Sequence, residues 1–414
     1  MMIFALILVE KPKFSTRAVR LGPIARWLSA LLLLCLASTS HGAADHTPLS
    51  RAVPPVLGKP APLLETIRKP PLGLPAMEIP ERNPVTEEKI ALGRKLFFDR
   101  RLSFNGSLSC GMCHVPEQGF TQRELRTPVG VEGRFVKRNA PALYNVGYRR
   151  VLFHDGRENS LENQVWQPLL LHNEMANPSI GVVLSTVANA EDYNGLFDAA
   201  FEQGLTAETL GMALASSQRG LESGNSPFDR WYFGKEKSLS PEASGGWQVF
   251  RDAGCIGCHT VEEDHAHFSN DQFYDTGIGY ARSMGIGTNP EPVRLAPGVS
   301  VVPTVSFETA GANDLGRYEA TGRSADRWLF RVPTLRNVAL TPPYMHDGSF
   351  PDLESVIAWY NRGAVPHPGL DPRIRPLNLS DVQVAKLLAF LESLTGSNVA
   401  SLEADGRSAV IGDP

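Results

Sequence analysis

Two pentapeptides in this chain set a pair of thiols beside an imidazole at fixed spacing: Cys110-Gly-Met-Cys113-His114 and Cys255-Ile-Gly-Cys258-His259. C-x-x-C-H is the spacing at which both thiols add to the vinyl groups of a porphyrin and the adjoining histidine becomes an axial ligand of its iron. Two residues between the thiols let one turn of chain reach both vinyls, and the next residue is then aimed at the metal. With 5 Cys and 10 His among 414 residues, one such pentapeptide arises by chance in roughly one sequence per thousand; two do not. A zinc ribbon would need the two thiol pairs far closer in sequence, and a dithiol redox pair would need only one of them and no histidine. The expectation is two covalently bound haem c groups, with zinc or dithiol chemistry the alternatives.

A haem iron with both faces taken carries electrons; one with an open face beneath acid–base groups does chemistry. Candidates for such groups follow the first motif: Phe153-His-Asp-Gly-Arg157, Ser160-Leu-Glu-Asn-Gln164-Val-Trp-Gln-Pro168 and Asn173-Glu-Met175. Taken alone, Gln164 and Glu174 read as solvated polar residues. The pair His265 and His267, in Glu262-Glu-Asp-His-Ala-His267, reads as a solvated loop.

These residues need elements to hold them. Thr86 to Phe98 has helical spacing, a Thr start with Glu87 and Glu88 in its first turn, and Ile90, Gly93, Leu96 and Phe97 on one face. Gly93-x-x-Leu96-Phe97 before the first motif is echoed by Gly246-x-x-Val249-Phe250 before the second, a weak internal repeat. Leu210 to Leu221 and Val382 to Leu394 are amphipathic and each is followed by glycine (Gly224, Gly396). A helix before C-x-x-C-H and another closing the unit is the plan of a small cytochrome c. The predicted fold is therefore all-α: two cytochrome c-like haem domains, residues 86–235 and 236–400, with long irregular loops such as Asp275 to Thr304. Residues 45–85 are a Pro-rich extension, and 401–414 a C-terminal tail.

Residues 1–44 read as a secretory signal: a basic segment (Lys11, Lys13, Arg17, Arg20, Arg26), an apolar run from Trp27 to Ala37 too short to span a bilayer, then small residues up to Ala43 and Ala44. An uncleaved anchor, or a start site placed too early, are the alternatives. The expected location is the periplasm. Cys35 lies within the apolar run, so the four remaining cysteines belong to the two motifs and none is left for a disulfide. Removing 1–44 takes the formal charge from −4 to about −8, a mildly acidic surface suited to a basic electron-donor protein and not to nucleic acid.

The chain resembles the bacterial di-haem cytochrome c peroxidase family, including its MauG branch, from about Pro84 to Gly396. The motifs that carry the resemblance are Leu96-Phe97-Phe98-Asp99, Leu102-Ser103, Gly119-Phe120-Thr121, Arg138-Asn-Ala-Pro141, Asp155-Gly-Arg157, Asn173-Glu-Met175, Val332-Pro-Thr-Leu-Arg-Asn-Val338 and Pro343-Tyr-Met-His-Asp-Gly348, in the family's order around the two haem motifs. The resemblance implies that the first haem is peroxidatic, with His114 proximal and Gln164 and Glu174 on its distal side. A carboxylate there can take a proton from one peroxide oxygen and return it to the other, and an amide can orient the peroxide. Peroxidases that need reductive activation carry a capping histidine about sixteen residues past the first motif; this chain reads Thr127-Pro-Val-Gly-Val-Glu-Gly133, so the iron is expected to stay open. At the second haem, with His259 proximal, Tyr360 falls where the peroxidases place methionine and the MauG branch tyrosine. Met345 is the other candidate ligand, and a packed helical tyrosine the plain reading. The family's inter-haem Trp is His154 here, read as a spacer. Asn139, Thr341 and Pro343 match the family's Ca2+ site, whose oxygen donors suit a hard cation.

Three functions follow from this reading. The first is an exported di-haem peroxidase, MauG-like, using H2O2 at the His114 haem, sharing charge with a His259/Tyr360 haem and oxidising a protein reductant at long range. The second is a cytochrome c peroxidase that removes H2O2 with electrons from a small cytochrome c. The third is a non-enzymatic di-haem electron carrier.

Overall fold

In a computed structural model of the protein, the described residues are 61–286, 293–296, 299–301 and 313–408. The signal segment, residues 45–60, part of the Asp275–Thr304 loop and the last six residues of the tail lie outside them.

The fold is mostly helical, and two helix pairs dominate it. Thr86 caps the helix Glu87–Phe98 by accepting from Lys89 N–H, and Thr206 opens Ala207–Arg219 with a reciprocal capping box. The two cross where Gly93 meets Ala213: a Cβ on Gly93 would fall 1.9 Å from the Ala213 carbonyl oxygen, so only glycine permits this approach. The second pair, Pro241–Asp252 and Asp381–Glu392, repeats the device with Gly246 lying against Lys386 O, again 1.9 Å from a built Cβ. The sequence echo is thus a repeated helix crossing. Leu96 and Phe97 anchor the first core, Val249 and Phe250 the second.

The ends of the two repeats meet each other. Ser397 N–H donates to Gly224 O at 3.0 Å, and Asn337 Oδ1 accepts from Ser223 Oγ at 3.1 Å and Gly396 N at 2.8 Å. The described residues belong to one compact unit.

Three segments differ from the sequence expectation. Within the Pro-rich extension, Leu63–Arg68 is a helix that buries Leu63 and Ile67 in the first core. Six residues between prolines carry too little periodicity to be read. The same extension reaches the second half, where Gly73 O accepts from Ala266 N at 3.0 Å and Arg336 Nη2 at 2.6 Å. The tail begins inside a helix, Val399–Arg407, whose Leu402 is buried in the first core; one apolar anchor among polar residues gave no signal. The Asp275 loop includes a helix, Ile278–Ser283, and an antiparallel pair, Val293–Ala296 with Val299–Val301. Phe273–Tyr274 pairs with Phe330–Arg331.

Candidate active site

Cys110–Cys113 form one helical turn, and the chain then doubles back through Gly119 (φ 83°) and Phe120 (φ 53°) so that Val115 pairs with Thr121. This turn aims the Phe120 carbonyl at His114, whose Nδ1 lies 3.0 Å away. A carbonyl only accepts, so Nδ1 carries the proton and Nε2 keeps the lone pair that a metal requires. The second motif is built the same way. Cys255–Gly257 is a short turn after Gly254, and His259 Nδ1 donates to Phe268 O at 2.8 Å from a phenylalanine again held at positive φ (51°). Phe97 lies 6.4 Å from the His114 ring and Phe250 6.5 Å from the His259 ring. Burial pushes the His114 imidazole below its ordinary pKa and that of His259 down to about 4, so both are neutral, the form that ligates. The four cysteines are unpaired. Burial lifts Cys110 to about 12 and both Cys113 and Cys255 to about 11, which keeps them as thiols.

Facing the first motif is Glu174. It sits in a turn fixed at both ends of its peptide: its N–H donates to Leu171 O and its carbonyl accepts from Val131 N, each at 2.9 Å. The Thr127–Gly133 stretch therefore backs directly onto Glu174, and Gly130 leaves no room for a side chain, its built Cβ falling 2.1 Å from Asn173 O. Burial raises the Glu174 carboxyl, and the Arg157 guanidinium pulls it back down. Its negative charge in turn reaches both thiols, raising Cys110 and Cys113. Gln164 ends the turn Leu161–Gln164, half-buried, and the chain continues through Trp166–Leu170. Met175 N–H donates to Pro168 O at 3.0 Å, which ties the Gln164 and Glu174 segments together.

Arg157 is a residue that sequence reasoning named in a motif without giving it a part. It donates to Gln167 Oε1 at 2.6 Å and to both Asp155 oxygens at 3.0 Å. Asp155 is clamped from the other side by Arg138, at 2.6 Å, which also donates to Asp314 at 2.6 and 2.7 Å. Asp-Gly-Arg was the available signal. The carbonyls of Phe120 and Phe268 had none, because any residue has a carbonyl and only the backbone path aims it.

At the second motif, Tyr360 lies on the helix Leu353–Asn361. Burial pushes its phenol up to about 12, a hydrogen bond with Thr276 lowers it, and the Cys255 and Cys258 thiols raise it. The phenol and that thiol pair are therefore close enough for their charges to interact. Met345, at φ 73°, packs in the same cluster as Tyr360 and Trp359, so both candidate ligands stand on this side. His154 is buried, with its Nε2 3.0 Å from Asn139 O; burial and then Arg138 push it down to about 3. A neutral imidazole committed to a backbone carbonyl bridges the Phe153–Arg157 and Arg138–Pro141 segments. Asn139 joins the same junction: its N–H donates to His346 O at 2.7 Å and its Nδ2 to Arg126 O at 2.9 Å. The Thr341 methyl lies against Gly119, 2.8 Å from a built Cβ. His265, by contrast, bonds the exposed Asp264 at 2.7 Å, while the ring of His267 packs on Tyr148 at 4.8 Å.

Each motif thus offers two thiols, a buried neutral imidazole held by backbone carbonyls, and one buried oxygen acid whose charge is coupled to the thiols. Two thiols and a neutral imidazole at each motif fit a covalently attached haem on each side, the cofactor set of a di-haem protein. The chain belongs to the di-haem cytochrome c peroxidase family, whose model matches residues 87–237. It is 35% identical to the methylamine utilization protein MauG of Methylorubrum extorquens, over 78% of this chain and 82% of that protein. It is 33% identical to the cytochrome-c peroxidase IdrP1 of Denitromonas iodatirespirans, over 79% and 86%. Among solved structures, a MauG-like protein associated with microbial copper homeostasis superposes with a TM-score of 0.65 at 30% identity, covering 80% of this chain and 95% of that one. The family carries two haem c groups and acts on peroxide, so the protein is an oxidoreductase of that type. No helix among the described residues is long and apolar enough to cross a membrane.

Proposed function

We propose that this protein is a MauG-like di-haem peroxidase exported to the periplasm, in which H2O2 reacts on the His114 side and the His259 side shares the oxidising equivalents. Cys110 and Cys113 would hold one haem with His114 as its proximal ligand; Cys255 and Cys258 would hold the other, with His259 and Tyr360. The haems supply the redox chemistry of peroxide reduction; the chain supplies position and protons. Glu174 takes the proton from the near peroxide oxygen and delivers it to the far one, which leaves as water. Gln164 orients the peroxide by hydrogen bonding, and Arg157, locked by Asp155 and Gln167, sets the charge that Glu174 experiences. What supports this reading is that buried Glu174 is charge-coupled to Cys110 and Cys113, and the buried Tyr360 phenol to Cys255 and Cys258. Tyrosinate is a hard anionic donor that favours the oxidised metal, which suits charge sharing better than a thioether does. The electron source is then a protein reductant. A Ca2+ ion between the haems would be held by the Asn139 side chain and the carbonyls of Thr341 and Pro343, oxygen donors that suit a hard cation.

Electron paramagnetic resonance and the near-infrared spectrum of the ferric holoprotein test this together. The expected result is one high-spin five-coordinate haem and one low-spin haem without a methionine charge-transfer band. A methionine band would favour a cytochrome c peroxidase fed by a small cytochrome c, with Met345 as ligand. Two six-coordinate haems in every redox state would leave an electron carrier.

A further inference from the structure

Beyond Tyr360 the chain builds an aromatic group that the peroxide site does not use. The segment Asp275–Gly277 is its seam. On one side Trp359 Nε1 donates to Thr276 O at 2.9 Å, and the Thr276 side chain lies close enough to the Tyr360 phenol to lower it. On the other, buried Asp275 Oδ2 lies 3.4 Å from the equally buried His367 Nε2. Gly277 then opens the helix Ile278–Ser283, which carries Tyr280. The Tyr280 ring stacks on His367, centroids 4.1 Å apart and planes within 8°. Trp328 closes the group edge-on, 5.2 Å from Tyr280 and 5.7 Å from His367. Tyr280 and Trp328 are only half-buried, so these rings reach the surface, and the Asp275–Thr276 peptide links them to the side that holds Tyr360.

Trp328 is held there at some expense. Its φ of 58° is a left-handed conformation that bulky residues avoid. Its peptide N–H donates to Leu315 O at 2.9 Å and its indole Nε1 to Ser283 Oγ at 3.0 Å. Indole is among the side chains that most readily give up an electron, and electron transfer weakens steeply with distance, so rings in contact carry charge farther than aliphatic packing does. The Asp275 carboxylate behind His367 sets negative charge beside these rings, which favours an electron-deficient indole.

We propose that Trp328, coupled through Tyr280 to the Tyr360 side of the second motif, is the port at which an external one-electron protein donor passes electrons into the oxidised protein. Trp328 loses one electron to the oxidising equivalent that peroxide has left inside, and regains one from the donor, which is oxidised by one electron; no bond is made or broken. This rests on the reading that charge is shared with the second motif.

The test uses the holoprotein with its natural Trp328 and with Trp328→Phe. One equivalent of H2O2 is added without donor, the sample is frozen, and the organic radical is read by paramagnetic resonance with and without ring-deuterated tryptophan. The expected signal narrows with the label and is absent from Trp328→Phe, while both haem signals stay as in the parent. Reduced mitochondrial cytochrome c, a basic protein, is then the donor probe: Trp328→Phe should slow its oxidation roughly tenfold or more with the peroxide step unchanged, and Tyr280→Phe, which keeps the ring, should slow it far less. An unchanged radical and an unchanged donor rate in Trp328→Phe overturn the port alone. A parent protein that forms no oxidised state with peroxide overturns the functional reading, and the port with it.

Discussion

At the scale of single residues, acid–base chemistry on the first side falls to Glu174, because it is the carboxyl whose charge is felt by both Cys110 and Cys113. Burial raises its pKa, with Arg157 opposing, so the base form that accepts the peroxide proton gains population above the ordinary carboxylate range. The rate of reaction with H2O2 should therefore climb with pH through an inflection higher than that of a free glutamate. Glu174→Gln keeps the shape and removes the proton relay; stopped-flow mixing should find both haems attached, the rate lowered by about 10²- to 10⁴-fold, and the inflection gone. Unaltered peroxide kinetics would remove Glu174 from the reaction. Arg157→Lys would break the two-sided grip on Asp155 and Gln167, since an ammonium cannot reproduce a planar fork. His114, His259 and their cysteines were legible from spacing alone, because covalent attachment demands adjacent residues. Arg157 was not, since its role depends on which carboxyl the fold brings to it.

At the scale of elements, two glycines decide how closely the helices around each haem site cross. Gly246→Ala would drive a methyl group onto the Lys386 carbonyl, and backbone cannot swing aside as a side chain can, so the helices must part. The expected cost is about 1–3 kcal/mol, read as a lower urea midpoint with no shift in the spectrum of the first haem. Gly93→Ala, placed against Ala213 O, should do the same from the first half. Gly245 is the internal control: its built Cβ meets only the flexible Lys386 side chain, at 3.0 Å or more, and alanine there gains up to about 1 kcal/mol of helix propensity. Equal effects at 245 and 246 would mean that the crossing is not what glycine protects. The repeat Gly-x-x-apolar-Phe and the pairing of helices were readable because 3.6-residue periodicity survives in long helices. The helices at Leu63–Arg68, Ile278–Ser283 and Val399–Arg407 escaped because each is short and held by tertiary contacts, which no local pattern encodes.

At the scale of the whole molecule, the junction of the two repeats buries a carboxyl with no compensating charge. Glu222 is 0% exposed, and the one side-chain group that holds its carboxyl down is the Tyr148 phenol, which lowers it less than burial raises it. Its neighbours are the Tyr148 phenol and the Asn398 amide, whose Nδ2 donates instead to the Glu222 main-chain oxygen at 2.7 Å. Burial lifts the carboxyl from an ordinary 4.5 to about 8. Between those values the folded protein binds a proton that the unfolded chain has released, so stability is greatest below about 4.5 with respect to this group and declines as pH rises toward 8. The loss is on the order of a few kcal/mol by the upper end of that window. Glu222→Gln, neutral at every pH, should flatten this decline. Thermal unfolding of the holoprotein followed from pH 5 to pH 9 checks it: the variant should match the parent at the acid end and exceed it at the alkaline end. Parallel curves would mean that the junction opens enough to hydrate the carboxylate, and that the two repeats are held together by their hydrogen bonds at Asn337, Gly224 and Gly396 and not by a dry seam.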